Sequence, residues 1–296
     1  LGQGTVIALG NVNDNPLLTR LYFNRYTFED ALFPGPDGYT VHAVYNPFPW
    51  GGGHDVIVLG ASVPGQLGAA VERFLGLLTG QGAATALPYV QVVEPSRRLT
   101  DAARAALLKR EVDPSLTAFR QHAEEYLKSG DETYAQLAKA ALDIMVGVYE
   151  QNPDRHVPWP EETTSGRIQA IWDAFEECPI LPAERRSDYV NVFFQFTRGL
   201  VPNSYEYRKI DESFQVTWNH TTFPLLGIYY GGRYFVRDYH LRDAQEWLAK
   251  SRMGFRAQAN CWKPLEDADG YLTLTIGHTI DFSLAEWDLR FFETGQ

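Results

Sequence analysis

The apolar residues of this chain change their period partway along, and that change constrains its fold more than any other feature. Before residue 80 they come in short runs broken by glycine, proline and asparagine; from residue 99 they recur at three- and four-residue intervals. Short β-branched runs suit strands, whereas the longer spacing suits one face of a helix. The chain therefore reads as α+β in two domains. Residues 1–80 form a small α/β domain, residues 81–98 a connector, and residues 99–296 an all-α domain.

In the first part, residues 5–9 are a strand ending at Gly10, followed by the turn-rich stretch Asn11-Val12-Asn13-Asp14-Asn15-Pro16. A short helix is expected over 17–22 and a second strand over 38–45. Residues 46–54 are a loop rich in glycine and proline. A buried-type strand over 55–60 then runs through Ala61-Ser62-Val63-Pro64-Gly65 into a helix over 66–78, which makes a βα unit. Gly60 and Gly65 do not make a dinucleotide fingerprint, because the spacing is wrong and no acidic residue closes a second strand.

In the second part, helices are predicted over 99–111, 115–129, 131–151, 163–178, 182–200, 221–235, 241–257 and 272–291. Thr100-Asp101, Ser115 and Asp131 supply start signals, and Gly231-Gly232 reads most simply as a helix end. Short connections make helical hairpins the natural packing. No fixed repeat supports a tetratricopeptide-type solenoid.

Composition narrows the function classes. The net charge of −11 argues against nucleic acid as a partner, but leaves room for an anionic substrate held by a few local cations. No stretch approaches the roughly 20 apolar residues of a membrane helix. The chain opens at Leu1 directly before a strand, so a processed chain or a fragment is expected. Cys178 and Cys261 set no disulfide framework; they could pair with each other, but two free buried thiols is the preferred reading. The 7 Trp and 16 Tyr fill a core or line a cleft where flat rings stack on sugars. With no H-E-x-x-H and no cysteine cluster, neither metal nor cofactor is expected.

Two resemblances sharpen this reading. The order Ala8-Leu9-Gly10-Asn11, Asn15-Pro16-Leu17, Asp37-Gly38-Tyr39, then Val56-Ile57-Val58-Leu59-Gly60-Ala61 and a helix resembles the α/β accessory domain that precedes the catalytic domain of many glycosidases. That domain is mainly structural, so it implies no site. Trp218-Asn219-His220-Thr221-Thr222-Phe223, followed by Gly270-Tyr271 and a helix with His278, is similar to polysaccharide lyases of the heparinase II/III and alginate-lyase kind. These carry an α/α toroid with an Asn-His pair on a loop at its cleft and a catalytic Tyr on a later loop. The resemblance implies an α/α-toroid-like helical domain, incomplete or cut short, since fewer helices are present than a full toroid has. It also implies a secreted protein, extracellular or periplasmic, acting on a polysaccharide.

The chemistry that this resemblance implies is β-elimination on a uronic acid. An Asn219 amide would donate to the substrate carboxylate and acidify the C5 proton. His220 would take that proton, and Tyr271 would act as acid or second base. Thr221 or Thr222 as N-cap would set Asn219 and His220 just before a helix N-terminus, where an anion is favoured. Tyr229 and Tyr230 would lie roughly 13–15 Å further along unless the helix breaks at Gly227. Arg233 is a candidate carboxylate clamp. Trp218, Tyr230, Trp262 and His278 complete the candidate substrate-binding set.

Other readings compete. A single His before a helix is more often structural, and Tyr271 can be a core aromatic. Asn219-His220-Thr221 is also a glycosylation sequon. Glu266, Asp267 and Asp269 could serve an inverting glycosidase, but residues so close in sequence seldom flank one bond from both sides. Glu161-Glu162 and Glu176-Glu177 read as helix-surface or capping charges. A non-catalytic glycan-binding or assembly protein on the same scaffold is the main alternative, and a homo-oligomer is left open.

Overall fold

The structure, a computed structural model, describes residues 4–47, 54–79, 89–203 and 219–260 together with Phe282. It is α+β: one small sheet and, among the described residues, a larger set of helices.

The first part is built on β1 (Val6–Gly10), α1 (Pro16–Phe23), β2 (Tyr39–Val44), β3 (Val56–Ala61) and α2 (Leu67–Thr79). A fourth strand, β4 (Gln91–Glu94), comes from the stretch read as connector. Its four residues are too short a run to announce a strand without the neighbour they pair with. The sheet order is β1-β3-β2-β4, with β1 parallel to β3 and β2 antiparallel to both its neighbours. The central strand β3 is buried throughout, as its unbroken apolar run requires. Val56 and Val58 face α1, packing with Leu18 and Leu21, while Ile57 and Leu59 face Ala70 and Phe74 of α2. Gly60 has a structural purpose: a Cβ there would lie 2.3 Å from Glu29 Cγ. The buried Glu29 carboxylate accepts from Thr40 Oγ1 at 2.6 Å and lies 3.5 Å from His42 Nδ1.

The second part contains α3 (Asp101–Leu108), α4 (Leu116–Ser129), α5 (Glu132–Gln151), α6 (Trp159–Thr163), α7 (Ser165–Phe175), α8 (Arg186–Asn203), α9 (Asn219–Tyr239) and α10 (Arg242–Asn260). Thr100, Ser115 and Asp131 cap α3, α4 and α5 through their side-chain oxygens. Gly130 ends α4 in the left-handed conformation, φ 64°. Several boundaries differ from expectation, among them α9, which runs from Asn219 to Tyr239 rather than over 221–235. The helix predicted over 163–178 is a short α6 and then α7, and Gly231-Gly232 does not end α9. The expected helix over 272–291 lies outside the described residues, apart from Phe282.

Those glycines lie at close helix contacts. A Cβ on Gly227 would come within 2.4 Å of Ser165 Oγ, and one on Gly231 within 2.4 Å of Thr197 Oγ1 and 3.2 Å of Gln169 Nε2. Gly232 faces Leu248 N of α10 at 3.0 Å by the same measure. Residues 165 and 169 of α7 thus meet 227 and 231 of α9, in step, so the two helices run parallel. Thr197 and Leu200 of α8 meet α9 in the reverse order, so α8 is antiparallel to it. The result is helical hairpins α4–α5, α7–α8 and α9–α10. In one row α4 touches α7 and α7 touches α9; behind it α5 touches α8. Phe194 of α8 meets Trp247 of α10 at 5.5 Å. Trp172 stacks on Phe193 at 4.3 Å, with Phe119 edge-on to Phe193, at the centre of this core.

The sheet sits on this helical part. Gln91 Nε2 donates to Leu127 O at the end of α4, and Tyr89 stacks between Tyr45 and Tyr126. Ala174 packs against both the helical core and the α1 face of the sheet.

Candidate functional site

The start of α9 carries the residue pair that the sequence singles out. Asn219 and His220 are its first two residues, inside the first turn rather than before it. Because α9 starts at Asn219, Pro224 lies inside the helix as its sixth residue rather than at its first position, and leaves the carbonyl of His220 without its i+4 donor. Below the pair, Thr222 is fully buried and the Phe223 carbonyl accepts from Ser165 Oγ at 2.9 Å. The Phe223 ring meets Trp159 edge-on at 5.9 Å. Leu116 N donates to Glu161 Oε1 at 3.0 Å, so the starts of α4, α6, α7 and α9 gather at one end of the helical part. Glu161 is buried and paired with Arg155 at 2.7 Å, which makes it a tie between helix starts rather than a surface charge.

The remaining candidates divide. Trp218, Trp262, Tyr271 and His278, like Cys261, Glu266, Asp267 and Asp269, lie outside the described residues. Tyr230 and Arg233 are described, and α9 does not bring them to its own start. The helix is continuous through Gly227, so Tyr230 lies about 15 Å and Arg233 about 20 Å beyond His220. Arg233 is buried, donates through NH1 to Asn24 Oδ1 at 2.5 Å and stacks over Tyr230 at 4.2 Å. It joins the sheet layer to α9 through Asn24. Cys178 is a free buried thiol, as expected, and burial pushes its pKa up.

Sequence reasoning missed a polar cluster at the opposite end of α7 and α9. Arg237 NH2 lies 2.6 Å from Asp173 Oδ1 and 2.6 Å from Asp238 Oδ2. Tyr26 Oη donates to Asp173 at 2.5 Å, and Asn46 Nδ2 to Asp238 at 3.1 Å. Alongside, Glu176 accepts from Tyr234 Oη at 2.8 Å and pairs with Arg186, which also binds Glu177. A cavity of about 270 Å³ opens here between Tyr45, Glu176, Arg186, Arg237 and Tyr239. Burial raises the Glu176 carboxyl to about 7, against the pull of Arg186 and the Tyr234 hydroxyl. Burial raises Tyr45 to about 12. Glu176 and Glu177, read as one kind of charge, have different fates. Glu176 is nine-tenths covered, whereas Glu177 is 41% exposed. No local signal separates them, since the covering groups come from α9 and the start of α8.

Among the described residues there is no cluster of His, Cys, Asp and Glu fit to hold a metal, and no helix long and apolar enough to cross a membrane. Comparison with protein-family models, curated proteins and solved structures gave no match.

Proposed function

We propose that the helical part is an α/α-toroid-like fold, whole or in part, and that the protein is a secreted polysaccharide lyase acting by β-elimination on a uronic-acid polymer. The observation that carries this reading is the place of Asn219 and His220. They open a helix whose parallel neighbour α7 starts at the same end, beside α6. Unpaired N–H groups and the positive ends of such helices favour a carboxylate. The row in which α4 meets α7 and α7 meets α9, with α5 against α8, supports this reading of the helical part.

In the reaction, Asn219 donates to the uronate carboxylate and so stabilises the carbanion that forms at C5. His220 removes the C5 proton. The electron pair forms the C4–C5 double bond as the C4–O bond breaks, and Tyr271 protonates the leaving oxygen. Trp218, Trp262 and His278 supply sugar contacts in the same reading. Arg233 and Tyr230 are assigned instead to the seam with the sheet.

The test is ultraviolet absorbance during incubation with a panel of uronic-acid polysaccharides. A conjugated double bond gives a rising signal, and His220→Ala is expected to lower the rate by at least about a hundredfold. A folded protein that gives no signal on any polymer would mean that the scaffold binds glycans without cleaving them.

A further inference from the structure

The described tryptophans of this chain have different fates. Trp172 is fully buried and Trp247 is 6% exposed, but Trp159 is 49% exposed. A tryptophan inside a core is a packing residue, whereas one held open to solvent is the kind of side chain that anchors binding surfaces. Sequence reasoning passed it over, because Val157-Pro158-Trp159-Pro160 carries no motif.

Trp159 opens the short α6, at the end of the helical part where α4, α7 and α9 also start. Its ring meets that of Phe223 at 5.9 Å and 90°. Phe223 follows Asn219 on α9 by four residues, one helical turn. The indole therefore stands about one turn from the residue pair on which the lyase reading rests.

The base of the ring is fixed from several sides. Pro158 and Pro160 set the backbone φ before and after it. The Pro158 carbonyl accepts from the N–H groups of Glu161 and Glu162, each at 3.0 Å. The Pro160 carbonyl accepts from Thr164 Oγ1 at 2.8 Å and from Thr117 Oγ1 of α4 at 3.3 Å. Glu161, paired with Arg155, ties α6 to the first N–H of α4. Phe223 is itself buried, and its carbonyl is held by Ser165 Oγ. A ring on so fixed a base loses little freedom when a ligand packs on it, which favours rigid aromatic anchors at binding sites.

Charge and shape narrow what packs there. Residues 157–160 carry no charge, and the carboxylates that follow, Glu161 and Glu162, are both buried. The exposed indole thus offers a flat apolar surface with no charged group of its own segment beside it. The C–H face of a sugar ring is a flat apolar surface of matching size, with its hydroxyls turned outward to water.

We infer that Trp159 is a stacking platform for one sugar unit of a polymer whose adjoining unit is held at the start of α9. This rests on the reading of that helix start as a glycan site and gives the site a second contact, which a longer oligosaccharide reaches and a shorter one does not.

The experiment is calorimetric titration of the full chain carrying His220→Ala, so that binding is read without turnover. The probes are di- and hexasaccharides of alginate and of hyaluronan. One hexasaccharide is expected to bind more tightly than its disaccharide. Adding Trp159→Leu should weaken the hexasaccharide about tenfold, the scale of one lost aromatic anchor, and leave the disaccharide nearly unchanged. Leucine keeps an apolar side chain against Phe223, so the melting temperature should change little. Trp159→Tyr keeps a flat ring and should retain most of the affinity. No binding of any probe, hexasaccharide affinity unaltered by Trp159→Leu, or a tyrosine variant as weak as the leucine one would overturn the inference. The two readings separate. Binding that depends on Trp159, with no rise in ultraviolet absorbance from the unsubstituted protein, keeps the platform and removes the lyase. Elimination by the Trp159→Leu protein at an unaltered KM removes the platform and keeps the lyase.

Discussion

Glu176 shows how much one residue's fate depends on what packs over it. Its neighbour Glu177 is 41% exposed, while Glu176 is covered by Tyr234 and Arg186 and titrates at about 7 instead of its ordinary 4.5. An acid whose folded pKa lies above its unfolded value keeps a proton that the unfolded chain releases. Below about 4.5 the group is protonated in both states and carries no penalty. Between there and about 7 stability falls as pH rises, and above that the loss is complete. Glu176→Gln keeps an acceptor for the Tyr234 hydroxyl and removes the charge. It should raise stability by about 2 kcal/mol near pH 8 and change little near pH 4. Urea melts at the two pH values check this; an equal effect at both would refute the assignment.

At the scale of the element, α9 is the helix on which the arrangement turns. Its glycines lie at consecutive contacts with α7, α8 and α10, where a side chain would force the helices apart. Gly231→Ala places a methyl 2.4 Å from Thr197 Oγ1, and Thr197 is itself held by Gln169 at 2.6 Å. The expected cost is about 1–3 kcal/mol, the price of overpacking a filled core. Gly147, inside α5, has nothing within 4 Å of the same methyl, so Gly147→Ala should stabilise by about 0.5–1 kcal/mol. Thermal melts of the two variants should move in opposite directions. Gly231-Gly232 resembles a helix end in sequence because the same residue type serves both uses. Only the partner helix distinguishes them.

At the scale of the whole molecule, the seam between sheet and helices is polar and partly buried, and Arg237 is its hub. The Arg237 and Asp173 side chains are 11% and 5% exposed, and Tyr26 and Asp238 complete their hydrogen bonding. Arg237→Met leaves Asp173 buried without its cation and should cost about 3 kcal/mol. Adding Asp173→Leu should recover part of that loss, because an apolar pair no longer carries an unmatched charge. Equilibrium unfolding of the single and double variants measures the difference. The sequence by itself determined that an α/β stretch precedes a helical one, which residues cap α3, α4 and α5, and that β3 is buried. Those properties follow from periodicity and from hydrogen bonds between near neighbours. Only the tertiary structure decided that β4 joins the sheet, that α9 runs through its glycines, and that Arg233 serves the seam rather than the helix start. It also decided that Glu124 collects three cations from α4 and α7. Each of these depends on groups far apart in the chain, and their approach is set by the packing of whole elements, which no local pattern records.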